Sequence, residues 1–330
     1  MPSRSPRRRP ARRATPDARR RREFLGRLAR IFDMSEAEAE AQLSHTLEQS
    51  IRINALSPFP AAKIENELDA LGAVRAAIPW CPGAYYLQSD KSAVASSPLF
   101  RDGHVYIQNA SSLIPPLALD VRPEHAILDL CAAPGGKSAQ IAALTGNRAF
   151  LWLNDGIKAR AEKLKGVIQQ FHVRADEVTA CPAQYADKVI ARRFERILVD
   201  AQCSGEGLLD LSHPGALRFW SMARVTRYGL LQQRMLMAAF KLLEPGGVLV
   251  YSTCTFGPEE NEAPVNHLLR HRANADVLEI ARDVEGRRPG LKAWDGRAFD
   301  PRLARAIRVM PSAHMEGFFV CKIAKTGEDA

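Results

Sequence analysis

The run Leu128-Asp-Leu-Cys-Ala-Ala-Pro-Gly-Gly-Lys-Ser138 constrains this chain more than any other stretch. Apolar Ile127–Cys131 predicts a buried strand, Pro134, Gly135 and Gly136 a tight turn, and a helix is expected to start near Lys137. Glycine has no Cβ, so a ligand can lie against bare backbone there. The unpaired N–H groups of a new helix end point at that ligand. Strand, glycine turn and helix in this order make a nucleotide-type cofactor site at the carboxyl end of a strand.

The flanking sequence sets the frame for that site. A chain of 330 residues can bury a full core and predicts one large domain with a smaller companion. Six Cys (81, 131, 181, 203, 254 and 321) include no C-x-x-C pair, so neither a zinc site nor a disulfide framework is expected. Free thiols suit a reducing, cytoplasmic setting. No apolar run is long enough for a membrane span and no signal peptide is visible, so neither a metal nor a membrane partner is expected, and the chain reads as a monomer.

The formal charge is +9, and the first 22 residues hold ten Arg and one Asp. Proline and self-repelling charge predict a disordered tail over 1–22. It reads either as a solvated tail or as a sequence-independent grip on RNA phosphates, which salt would weaken. A transit peptide fits less well, for want of an amphipathic apolar face.

Residues 23–115 read as helices followed by a small α+β unit. Phe24, Leu25, Leu28, Ile31 and Phe32 share one helical face. Ser35 and Glu38 form a capping box that opens a second helix, expected to run to about Gln49. Ile51–Leu56 alternates like a strand, 62–79 reads as helix, and His104–Gln108 as strand. Residues 116–330 then alternate: strands at Ala126–Cys131, Ala149–Asn154, Glu177–Cys181, Glu195–Asp200 and Val248–Ser252, with helical patterns between them and a last strand in Gly317–Ile323. This predicts an α/β, mostly parallel, doubly wound sheet.

Three cofactor classes compete for the glycine turn. A P-loop NTPase wants glycine where Cys131 stands, and a dinucleotide site wants G-x-G-x-x-G where the chain reads CAAPGG. S-adenosylmethionine remains, with Asp155 at the second strand end placed for its ribose hydroxyls; a helix cap is the alternative role for Asp155. The fourth and fifth strands end in Val199-Asp-Ala-Gln-Cys-Ser-Gly-Glu-Gly207 and Tyr251-Ser-Thr-Cys-Thr-Phe-Gly-Pro-Glu-Glu-Asn-Glu262. Each puts a Cys just past an apolar strand. Consecutive strands are usually neighbours, so Cys203 and Cys254 are expected within reach of one substrate base. Cys131, Cys181 and Cys321 read as packing residues by sequence alone.

These three motifs, in this order and spacing, resemble the signature set of RNA 5-methylcytosine methyltransferases of the Sun (nucleolar-antigen) family. The similarity spans about residues 23–325 and takes in Arg52 and Asn54, Tyr106–Ser112, and Arg308, His314 and Gly317-Phe-Phe. It implies a Rossmann-like domain that uses S-adenosylmethionine, preceded by a helical segment and a small RRM-like unit. It implies that Cys131, Ala132, Ala133, Pro134, Gly135, Gly136, Lys137, Asp155, Arg160 and Asp200 meet the cofactor or the catalytic centre. It also implies Cys254 as nucleophile and Cys203 as the thiol that helps release product, with ribosomal RNA the first substrate expected and transfer RNA the second. Thiolate addition to carbon 6 of cytosine makes carbon 5 nucleophilic, and a protonated or hydrogen-bonding Asp200 near ring nitrogen 3 would offset the charge that develops. Lys137 is placed to depress a nearby thiol pKa; its bland role is a solvated side chain.

Two departures stand out. Gln202 replaces the family's proline before Cys203, which removes a fixed φ. No acid follows the third strand before Asp187, where Gln184 is the substitute on offer. Both leave room for a non-catalytic RNA-binding ribosome-assembly factor on the same scaffold. A DNA methyltransferase fits less well, since its nucleophile normally follows a proline in the fourth-strand motif.

Overall fold

The computed structural model describes residues 15–328. Two helices come first, α1 (Pro16–Phe32) and α2 (Glu36–Gln42). The disordered tail read over 1–22 is corrected here: residues 1–14 lie outside the described residues, and 16–22 are helix. The Thr15 side chain caps the helix, Pro16 opens it and Asp17 sits in its first turn. Arg20 and Arg21 donate to the carbonyls of Leu217 and Leu211, and Arg21 also pairs with Glu40, so their charges are engaged rather than left to repel. The capping box of Ser35 and Glu38 is present. The helix behind it ends at Gln42, short of Gln49, because Gln49 opens the first strand.

The small unit runs β1 (Gln49–Ile53), α3 (Ala61–Ala70), β2 (Arg75–Ala77), β3 (Ala84–Leu87), α4 (Lys91–Ser96), α5 (Pro98–Arg101) and β4 (Val105–Gln108). Its strands pair antiparallel in the order β2-β3-β1-β4, a β-α-β-β-α-β arrangement. The helix expected over 62–79 stops at Ala70, since Gly72 takes φ +70 and turns the chain into β2.

After α6 (Ile114–Ala118) comes the large sheet. Strands β5 (Ala126–Asp129), β6 (Phe150–Asn154), β7 (Glu177–Thr179), β8 (Phe194–Asp200) and β9 (Leu243–Thr253) are parallel, in the order β9-β8-β5-β6-β7. Helices α7 (Gly136–Thr145), α8 (Lys158–Gln170), α9 (Ala186–Val189) and α10 (Met222–Lys241) lie between them in the chain. Side chains alternate along each strand: Ile127, Leu198 and Val250 enter one apolar layer, Leu128, Ile197 and Leu249 the other. Beyond α11 (Glu262–His271), β10 (Ala275–Leu278), β11 (Arg287–Pro289), the hairpin β12 (Ala293–Trp294) and β13 (Arg297–Ala298), β14 (Ile307–Val309) and β15 (Phe318–Lys325) complete the described chain. β15 pairs antiparallel with β9 and extends the sheet through β14 to β11, so the doubly wound core carries an antiparallel flank. From β5 the chain winds out to β7, then crosses back to β8. The β5–β8 border is the switch point, where such sheets open a ligand crevice at their carboxyl ends.

A buried ion pair braces that edge. Arg308 on β14 donates Nε to Glu262 Oε1 at 2.6 Å and Nη1 to the Phe256 carbonyl at 2.9 Å. Glu262 is fully buried and also accepts from the Leu291 N–H. Arg308→Met strands the Glu262 charge. We expect a loss of about 3–5 kcal/mol of unfolding free energy, read from the denaturant midpoint; a loss under about 1 kcal/mol would show the pair to be dispensable.

Candidate active site

Packing explains the two glycines of the turn. Gly135 takes φ +124, and a Cβ there would stand 2.8 Å from Val167 of α8. A Cβ on Gly136 would stand 2.9 Å from the Tyr106 ring. The turn therefore lies bare between α8 and the edge of the small unit. It opens into a cavity of about 280 Å³ lined by Cys131, Ala132, Ala133, Pro134, Gly136 and Lys137, with Asp200 from β8. Gly135 is absent from that lining and acts through its φ.

Lys137 is not the solvated side chain of its bland reading. Its Nζ lies 2.8 Å from Asp200 Oδ2 and donates to Ser112 Oγ at 2.9 Å. Burial works against the ammonium, but the Asp200 charge and hydrogen bond outweigh it and hold the Lys137 pKa up. The other Asp200 oxygen accepts from Ser252 Oγ at 2.7 Å.

Asp155 and Arg160 serve the turn from behind. The Asp155 carboxylate accepts from the N–H groups of Ala133 and Ile157 and lies 3.4 Å from Arg160, which itself donates to the Ala133 carbonyl. Asp155 is buried and neither residue lines the cavity; the N-cap of α8 is Ile157 with no side-chain cap bond, so Asp155 is not the helix cap of its alternative reading. Gln184, offered in place of the missing acid, lines a separate hollow against α10. Its strand β7 ends at Thr179, two strands from the switch point, and the following turn carries it away.

The two loop thiols do meet: Cys203 Sγ and Cys254 Sγ are 3.3 Å apart and both are free. Strands β8 and β9 are parallel neighbours, with Asp200 opposite Ser252, so their loops leave side by side. The bond to Cys254 and then burial hold Cys203 in its thiol form, well above the usual range. Either sulfur can donate in this contact. The loss of proline at 202 is offset: the Gln202 carbonyl accepts from Gln232 Nε2 at 2.8 Å and the Ser204 N–H donates to Glu260 at 2.8 Å. Cys181 and Cys321 are buried as packing residues, whereas Cys131 also faces the cavity.

Several functional residues escape the sequence reading. Asp129 lines the cavity; its Oδ2 accepts from Ser138 at 2.6 Å while its buried Oδ1 has no hydrogen-bond partner. Burial, helped by the Asp200 charge, pushes it up to about 7. Tyr106, Gln108, Asn109 and Ser112 form the opposite wall. Asn109 donates to buried Glu316, which burial raises to about 7 against the pull of Lys137. The polar run Gln108–Ser112 between a strand and an apolar helix was the available signal for that wall. Nothing local marks Glu316. Behind the thiols, buried Glu206 and Glu260 face the Thr255 hydroxyl, which lies 2.9 Å from Glu206. Among the described residues no cluster of His, Cys, Asp or Glu is arranged to hold a metal ion, and no helix is long and apolar enough to cross a membrane.

Comparison with known proteins agrees with this geometry. Residues 116–324 match the family model described as 16S rRNA methyltransferase RsmB/F, and residues 21–110 that for the N-terminal domain of 16S rRNA methyltransferase RsmF. A tRNA (cytosine(49)-C(5))-methyltransferase of Pyrococcus abyssi is 34% identical over 89% of this chain and 93% of its own length. Ribosomal RNA small subunit methyltransferase F of Aeromonas hydrophila is 36% identical over 92% of this chain, which spans only 63% of that longer relative. Among solved structures, a methyltransferase homologue from Pyrococcus horikoshii superposes with a TM-score of 0.74 at 27% identity, over 94% of this chain and 100% of that one. Turn, paired thiols and both matched regions thus converge: the chain belongs to the RsmB/F family of RNA 5-methylcytosine methyltransferases.

Proposed function

We propose that this chain transfers a methyl group from S-adenosylmethionine to carbon 5 of a cytosine in structured RNA, through a covalent adduct on Cys254. The 3.3 Å thiol pair beside the Lys137–Asp200 ion pair carries the reading. Ribosomal RNA is the first substrate, in keeping with both family descriptions, and transfer RNA the second.

The residues present fit the cofactor. The bare turn 131–137 offers backbone to it, and the orphaned Asp129 oxygen suits its ammonium group. Asp155 and Arg160 act on it by holding that turn. When bound, S-adenosylmethionine supplies the electrophilic methyl group.

The target base must leave its stack to reach the thiols. The Cys254 thiolate adds to carbon 6, which turns carbon 5 into an enamine-like nucleophile. Negative charge then develops on the ring: the Lys137 ammonium held by Asp200 offsets it, and Asp200 itself does so only as the protonated acid that donates to ring nitrogen 3. Release requires that the carbon-5 proton be taken and the sulfur–carbon bond broken. Cys203, or a base it positions, serves that step.

Cys254→Ala is expected to abolish transfer, while Cys203→Ala accumulates a denaturant-stable protein–RNA adduct, seen as a slow band on a gel. An adduct on Cys254→Ala instead would reverse the two roles. Lys137→Met, which breaks the pair with Asp200, should lower kcat by about 10²–10³ at saturating cofactor; an unchanged kcat would remove Lys137 from the catalytic centre.

A further inference from the structure

A second hollow begins where the Cys203 loop ends. Gln202, one residue before the thiol, lines a groove of about 840 Å³ whose other wall is the start of α10. Ala223, Arg227, Leu230 and Arg234 recur at helical spacing, so one face of α10 forms that wall. Its lining includes two arginines, Arg227 and Arg234, and no carboxylate. Tyr228 lines it too, with Arg224 and Arg227 each 5.4 Å from its ring centroid. Just ahead of the helix, Phe219 is 70% exposed with Arg218 over its ring at 5.0 Å.

The charge on this face is uncompensated. Among the described residues Arg218, Arg224, Arg227 and Arg234 enter no ion pair, whereas Arg27, Arg160 and Arg308 each do. Unpaired guanidinium groups beside accessible aromatic rings suit a polyanion with free bases: phosphates take the charge and unstacked bases take the rings. Arginine and aromatic rings mark protein interfaces as well, so it is the place of the groove beside the thiol loop that selects RNA. The position also fits, because a base drawn out to the thiols drags its neighbours into the adjoining surface.

We propose that the α10 groove takes the RNA strand flanking the target cytosine, with Tyr228 and Phe219 as stacking platforms and Arg227 and Arg234 on its phosphates. This rests on the RNA-methyltransferase reading above.

The test compares wild type, Tyr228→Ala, Tyr228→Phe and the double variant Arg227→Ala/Arg234→Ala. Binding of fluorescein-labelled oligouridine is followed by anisotropy across a salt series, and methyl transfer to unmodified ribosomal RNA in parallel. Tyr228→Ala should bind about tenfold more weakly, with Tyr228→Phe near wild type. The double variant should lose about 1.4 from the slope of log affinity against log salt. Both losses should raise KM for RNA and leave kcat and cofactor binding unchanged. Should Tyr228→Ala misfold, the double variant decides, since both arginines are exposed. Variants that match wild type in affinity and salt slope overturn the groove assignment alone and point to a protein occupant. A wild type that binds neither RNA overturns the RNA reading and the groove with it.

Discussion

Gly207 and Gly317 meet backbone to backbone behind the two thiols. The Gly207 N–H donates to the Cys254 carbonyl at 3.0 Å and the Gly317 N–H to the Gly207 carbonyl at 3.2 Å. A Cβ on Gly207 would overlap the Gly317 carbonyl, and one on Gly317 the Phe256 ring. Three segments from distant parts of the chain can converge there only because two side chains are missing. The carboxylates walled in beside them are satisfied one by one: Glu206 by Trp220 Nε1, the Phe256 N–H and Thr255, and Glu260 by the Ser204 N–H and Gln232. A buried polar network of this kind holds one geometry when complete and is costly when broken. It fixes the loops that carry Cys203 and Cys254.

The N-terminal parts lean on the same point. The apolar face of α1 packs on the loops after both thiols, with Phe24 against Trp220 at 5.1 Å and Phe32 against Phe256 at 4.8 Å. Arg27 forms a bidentate pair with Glu259, at 3.0 and 2.8 Å. The small unit supplies a wall of the cavity at the glycine turn and is tied to the approach to β15 through Asn109–Glu316 and Glu48–His314. Both units are therefore parts of the catalytic centre's frame.

What was legible in the sequence follows from range. The glycine turn and the Ser35–Glu38 cap are written in consecutive residues and stand where local pattern puts them, whereas the first and third core strands end at Asp129 and Thr179, two residues short of the expected Cys131 and Cys181. Neighbouring of Cys203 and Cys254 followed from a topological rule, because β8 and β9 are consecutive parallel strands. The helices expected to reach Gln49 and Pro79 stop short because strand pairing in the small sheet overrides the local pattern. The resemblance takes in Tyr106–Ser112, but that this run faces Asp129 across the cavity, and that Asn109 meets Glu316, arises only when the small unit closes on the turn. Asp155 accepts from the Ala133 N–H of the turn and from the Ile157 N–H two residues after itself, a bracing role that its position at a strand end does not reveal.

Cytosine methylation on RNA by these converging loops can be read from the methyl group itself. Its most direct test is incorporation of labelled methyl from S-adenosylmethionine into unmodified ribosomal and transfer RNA, with the product base identified after digestion. The account predicts label in 5-methylcytosine with wild type and none with Cys254→Ala. Label in another base, or in 5-methylcytosine at an undiminished rate with Cys254→Ala, would contradict it.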